Sequence, residues 1–101
     1  MSVRIDVPKA EIEAFCRRNG IRRLALFGSV LRDDFGPDSD VDVLVEFAPE
    51  ARIGLFELYD IEQELSRLLG GKKVDLNTPR SLSKYFRSEV LREAEVQYAQ
   101  T

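Results

Sequence analysis

The chain has 101 residues, enough for one domain with a single core but not for a catalytic domain beside a separate substrate domain, so a large substrate would have to be held partly by a partner. With 44% hydrophobic and 33% charged residues, the composition is that of a packed globular protein rather than a disordered one. The net charge of −3 argues against direct nucleic-acid binding through the phosphate backbone.

The opening MSVRIDVPKAEIE lacks the apolar core of a signal peptide, and no uninterrupted apolar run is long enough to span a bilayer. No membrane association is expected, and a reducing cytoplasm is the expected setting. Residues 8 to 19, PKAEIEAFCRRN, read as a first helix: Pro8 suits the first turn, Ile12, Phe15 and Cys16 form one stripe, and Gly20 supplies a stop. Cys16 is the only cysteine and there is no histidine, which excludes an intrachain disulfide and Cys/His zinc sites; on this stripe it reads as a buried structural thiol. Arg17, Arg18, Arg22 and Arg23 cluster around Asn19-Gly20; contact with RNA, nucleotide or an acidic partner stays open, but such a run is more often a solvated surface.

At residues 21 to 28, IRRLALFG, the period changes to that of a strand. Ser29 is placed to cap a short helix over 30 to 34, and Gly36-Pro37-Asp38-Ser39 marks a turn. The next strand is DVDVLVEF, residues 40 to 47, where the period of two puts Val41, Val43, Val45 and Phe47 on one face and Asp40, Asp42, Leu44 and Glu46 on the other. The short connection over residues 29 to 39 favours an antiparallel pair. After Pro49, LFELYDIEQELSRLL carries Leu58, Ile61, Leu65, Leu68 and Leu69 on one helical face and stops at Gly70-Gly71. KKVDLN, residues 72 to 77, reads as a third strand centred on Asp75. Thr78-Pro79 then opens a final helical region, broken near Ser83 to Tyr85, with Phe86, Val90 and Ala94 on one stripe. The alternation predicts an α/β (α+β) fold, a single domain over residues 1 to 101 with a small mixed sheet of three or four strands.

Asp40 and Asp42 are about 7 Å apart along their strand, and two carboxylates so placed repel unless a cation joins them. With oxygen ligands and no histidine, the fitting ion is Mg²⁺ or Mn²⁺, the ions of phosphoryl and nucleotidyl transfer. Asp75, on a neighbouring strand, is the candidate third ligand and general base. Gly28-Ser29, at a strand-to-helix junction, suits an approaching phosphate. Each piece has a plainer reading, since a lone Asp-x-Asp is most often a solvent-facing pair and a lone Gly-Ser a turn.

Together, Gly28-Ser29, ten residues, Asp40-x-Asp42 on an apolar strand and a later strand aspartate resemble the signature of the nucleotidyltransferase superfamily that includes DNA polymerase beta. FGSVLRDDFGPDSDVDVLVEF resembles more closely the minimal nucleotidyltransferases (MNT), the antitoxins of HEPN/MNT toxin–antitoxin pairs. The resemblance implies transfer of AMP from ATP onto a HEPN ribonuclease toxin, with Asp40, Asp42 and Asp75 as metal-binding and catalytic carboxylates and Gly28, Ser29 and Arg32 at the phosphates. For Arg32 a surface pairing with Asp33 or Asp34 stays open. Asp33 stands where the family often has glycine and Gly36 where it often has a basic residue, changes that leave the carboxylates intact but add negative and remove positive charge beside the phosphates. Tyr85, Phe86, Val96 and Tyr98 are candidates either for partner contact or for the core. The alternative is an antitoxin that neutralises its toxin by contact alone; nucleotide transfer to RNA or a small molecule is a further rival, for which no second domain is recognisable.

Overall fold

The computed structural model describes residues 5–32, 35–36 and 38–100. Helix α1 (Lys9–Arg18) leads into β1 (Ile21–Phe27), a 3-10 turn (Gly28–Leu31), β2 (Val41–Phe47), α2 (Leu55–Leu68), β3 (Val74–Asn77), α3 (Arg87–Glu93) and β4 (Glu95–Ala99). The strands form one sheet in the order β3-β2-β1-β4. β1 is antiparallel to both β2 and β4, whereas β2 and β3 run parallel, so the sheet is mixed as expected.

The valines of β2 at 41, 43 and 45 are fully buried, and so are Ile12, Phe15 and Cys16 of α1 and Leu65 of α2, which join them in one core cluster. Burial of each such side chain stabilises the fold by about 1.5–3 kcal/mol, less for the thiol. Burial also pushes the Cys16 thiol up to about 12, which keeps it protonated and inert. On the opposite face, Ala25 and Leu44 are cross-strand partners and are buried too, as is Leu82 from the segment after β3, and none of the three belongs to the main cluster. The helix α2 begins where Glu57 accepts a hydrogen bond from the Gly54 amide at 2.9 Å, and it ends at Gly70 and Gly71, both in the left-handed region.

Three expectations need correction. Ser29 caps no helix: the turn starts one residue earlier, with Phe27 as its N-cap, and Ser29 lies inside it. Of the expected helix over 30 to 34, positions 33 and 34 lie outside the described residues, as does Pro37 of the expected turn. That turn is nonetheless closed by Ser39 N–H donating to the Gly36 carbonyl and Gly36 N–H donating to Ser39 Oγ. Thr78-Pro79 opens a hydroxyl-bonded turn instead of a helix, because Ser81 N–H turns back onto Thr78 Oγ1 and the Thr78 carbonyl. The C-terminal helix is confined to Arg87–Glu93, and residues 95–99 join the sheet as β4, since β1 would otherwise present a bare edge.

Among the described residues no helix is long and apolar enough to cross a membrane. Arg17, Arg18, Arg22 and Arg23 are exposed and each lies within ion-pair distance of a glutamate, namely Glu13, Glu64 or Glu46. That is the solvated-surface reading of the cluster. Tyr85, Phe86 and Val96 are exposed while Tyr98 packs on the core. The largest exposed side chains include two not singled out by the sequence, Leu55 at 84% and Phe56 at 86% exposure, at the start of α2.

Candidate active site

The carboxyl cluster is built by the register of three strands. In the parallel β2–β3 pair, Asp42 stands directly opposite Asp75, and in the antiparallel β1–β2 pair it stands opposite Phe27. Strand alternation, which buries Val41 and Val43 in the core, turns Asp42 to the other face, and the matched register turns Asp75 the same way. The side chains lie close enough for the charge of Asp75 to act on Asp42. Asp40 lies one residue before β2 instead of within it and is exposed, but its charge still acts on Asp42.

Gly28 completes the wall behind Asp42. Its φ is +74°, in the left-handed region, and a Cβ added there would collide with Asp42 Oδ2. The glycine expected to admit phosphate is therefore needed first to admit the carboxylate of its own chain. Ser29 Oγ donates to the Asp40 carbonyl at 3.3 Å, tying the turn to the start of β2, and the Arg32 N–H donates to the Ser29 carbonyl at 2.9 Å. Arg32 itself is exposed and close enough for its positive charge to act on Asp42.

Electrostatics follow from this packing. Asp42 is held above its ordinary value of 3.8, first by burial, then by the charges of Asp75 and Asp40 and by the hydrogen bond to Asp75, with Arg32 pulling the other way. Carboxylates gathered this closely repel, and a divalent ion held between them would offset that repulsion.

Among the described residues, no three acidic, cysteine or histidine side chains converge into a ready-made metal cage. The donor set still suits Mg²⁺ or Mn²⁺, which take one or two carboxylates and complete their shell with water and substrate phosphate. A Zn²⁺ site would need nitrogen or sulfur ligands, and the chain has no histidine and a buried cysteine. The structure thus gathers Gly28, Ser29, Asp40, Asp42 and Asp75 at one end of β2, with Arg32 at its margin. What the sequence could not show is the Gly28–Asp42 packing, which depends on a pairing between two strands.

Comparison with known proteins bears on this arrangement. The nucleotidyltransferase domain model matches residues 9–96. The protein adenylyltransferase MntA of Thermococcus cleftensis is 41% identical over 76 residues, covering 75% of this chain and 74% of its own. A solved candidate minimal nucleotidyltransferase superposes with a TM-score of 0.69 at 36% identity, over 85% of each chain. The fold is shared as well with a complex of a tri-AMPylated HEPN toxin and its MNT antitoxin from Shewanella oneidensis, at a TM-score of 0.64 and 22% identity over 91% of this chain and 70% of the other.

Proposed function

The chain belongs to the nucleotidyltransferase domain family, and from that premise we propose that it is a Mg²⁺-dependent protein adenylyltransferase that moves AMP from ATP onto a HEPN ribonuclease toxin, acting as its antitoxin. The observation that carries this reading is the pair Asp42 and Asp75, set opposite each other by the strand register beside the glycine turn. A protein acceptor suits so small an enzyme, because the acceptor brings its own binding surface.

Asp40, Asp42 and Asp75 would hold the ion with the triphosphate, and Asp75 would also take the proton of the acceptor hydroxyl. When bound, Mg²⁺, or Mn²⁺ in its place, neutralises the phosphates and acidifies that hydroxyl. The hydroxyl oxygen then bonds to the α-phosphorus as the bond from that phosphorus to the bridging oxygen breaks, and pyrophosphate leaves with the electron pair. Gly28, Ser29 and Arg32 line the phosphate side, Arg32 offering a guanidinium that can bind a phosphate with two hydrogen bonds. Leu55, Phe56, Tyr85 and Phe86, all exposed, support contact with a protein partner. Cytoplasmic residence and a single domain over residues 1 to 101 belong to the same proposal.

The test is transfer of label from α-labelled ATP, with Mg²⁺, into proteins of the source-cell extract, comparing this chain with Asp42→Asn. Label on one protein, lost in the variant, is the expected result. If neither form transfers label while the same partner co-purifies with both, the protein is an antitoxin by contact alone.

A further inference from the structure

Asp75 sits on a strand with little to hold it. β3 has four residues and lies at the edge of the sheet, so β2 grips it from one side only. Its register nevertheless decides whether Asp75 faces Asp42, because a slip of one residue would turn its side chain to the other face. Something must fix the free side of β3.

The hydrogen bonds identify that element. Val41 N–H donates to the Lys73 carbonyl at 2.8 Å, so by strand alternation residues 73, 75 and 77 turn their backbone toward β2, and 74 and 76 turn theirs to the open edge. The outward N–H of Leu76 is taken by Glu62 Oε2 of α2 at 3.0 Å in a partly buried setting. Leu76 also packs its side chain on the main core. Helix α2 thus holds the backbone of the residue after Asp75, and the Leu76 side chain packs on the core, on the face opposite the carboxyl pair.

We propose that Glu62 is a positioning residue: its carboxylate pins the edge strand at Leu76 and thereby holds Asp75 in register against Asp42. The consequence for catalysis rests on the adenylyltransferase reading, whereas the consequence for β3 does not. A charged acceptor on a backbone amide is among the stronger hydrogen bonds, and here it closes an edge that would otherwise be open to solvent or to slippage. Glutamine can accept the same bond through its amide oxygen, whereas alanine cannot.

The test uses the full chain with Glu62→Ala and Glu62→Gln, read by NMR without metal or nucleotide and by adenylyl transfer. In Glu62→Ala, exchange of the Leu76 amide is expected to rise at least tenfold and the cross-strand NOEs around Asp42 and Asp75 to weaken, with far-UV circular dichroism unchanged. The rate constant for transfer should fall by about 10–100-fold, the loss typical of removing a group that orients a metal ligand, while KM for ATP stays within about twofold. Glu62→Gln should restore all of these to within about threefold of the parent. An unchanged Leu76 exchange rate or intact cross-strand NOEs in Glu62→Ala would overturn the proposal, as would a tenfold loss of transfer that Gln does not recover. If the parent chain transfers no AMP, the enzymatic reading fails and the NMR measurements alone decide the role of Glu62.

Discussion

At the scale of single residues, Gly28 and Asp42 are one unit, and each predicts a different consequence. Gly28→Ala places a side chain in a left-handed conformation and against Asp42 Oδ2. The conformation alone costs about 1–2 kcal/mol and the collision adds to it, so urea unfolding should show a loss of that order or more, with transfer activity lost. For Asp42, the folded-state value is raised above its ordinary 3.8, so between the two the native state binds more protons than the unfolded chain. Stability must then fall as pH rises through that window and stay lower above it. Asp42→Asn removes this penalty: without metal its melting temperature at pH 7 should equal or exceed that of the parent, with the gap narrowing toward pH 4. A variant less stable than the parent at both pH values would mean that Asp42 is held by contacts more favourable than its crowding.

At the scale of elements, legibility in the sequence tracked how local the deciding interaction was. α1, α2, β1 and β2 carry their own periodicity, and the buried faces expected for Ile12, Phe15, Cys16, Ile61, Leu65 and the β2 valines are the buried faces found. The start of the turn, at Gly28 and not after Ser29, and the strand β4 do not announce themselves. EVQYA continues a helical stripe as readily as it forms a strand, and only the open edge of β1 selects the strand. The candidate site was legible in its residue types, because Asp40, Asp42 and Asp75 stand in an ordered spacing, but not in its geometry, which needs the β2–β3 register. β4 therefore carries its own prediction. Ending the chain after Ala94 would strip β1 of one of its two neighbours and remove Tyr98 from the core. The shortened chain should lose a cooperative thermal transition or aggregate by size-exclusion chromatography, while full-length Val96→Thr, at a position 40% exposed, should stay within about 0.5 kcal/mol of the parent.

At the scale of the whole molecule, the fold holds three aspartates at one end of β2 and the protein is already negative, with a net charge of −3. Its surface arginines at 17, 18, 22 and 23 are matched to glutamates, and exposed pairs of this kind each contribute no more than about 1 kcal/mol. The repulsion within the carboxyl group is thus a cost the surface does little to relieve, and a divalent ion with a nucleotide can relieve it only in the native state, where the register brings Asp42 to Asp75. A ligand that binds only the native state at about 100 times its Kd stabilises by about 2.7 kcal/mol, which for a chain of this size shifts the melting temperature by on the order of 10 °C. Mg²⁺ with ATP should produce such a shift in the parent chain by differential scanning fluorimetry and little or none in Asp42→Asn. Sodium chloride at matched ionic strength screens charges without bridging two carboxylates, so it should not reproduce the effect. An equal shift in Asp42→Asn, or the same shift from sodium chloride, would remove the carboxyl pair from the binding site and leave general screening as the cause.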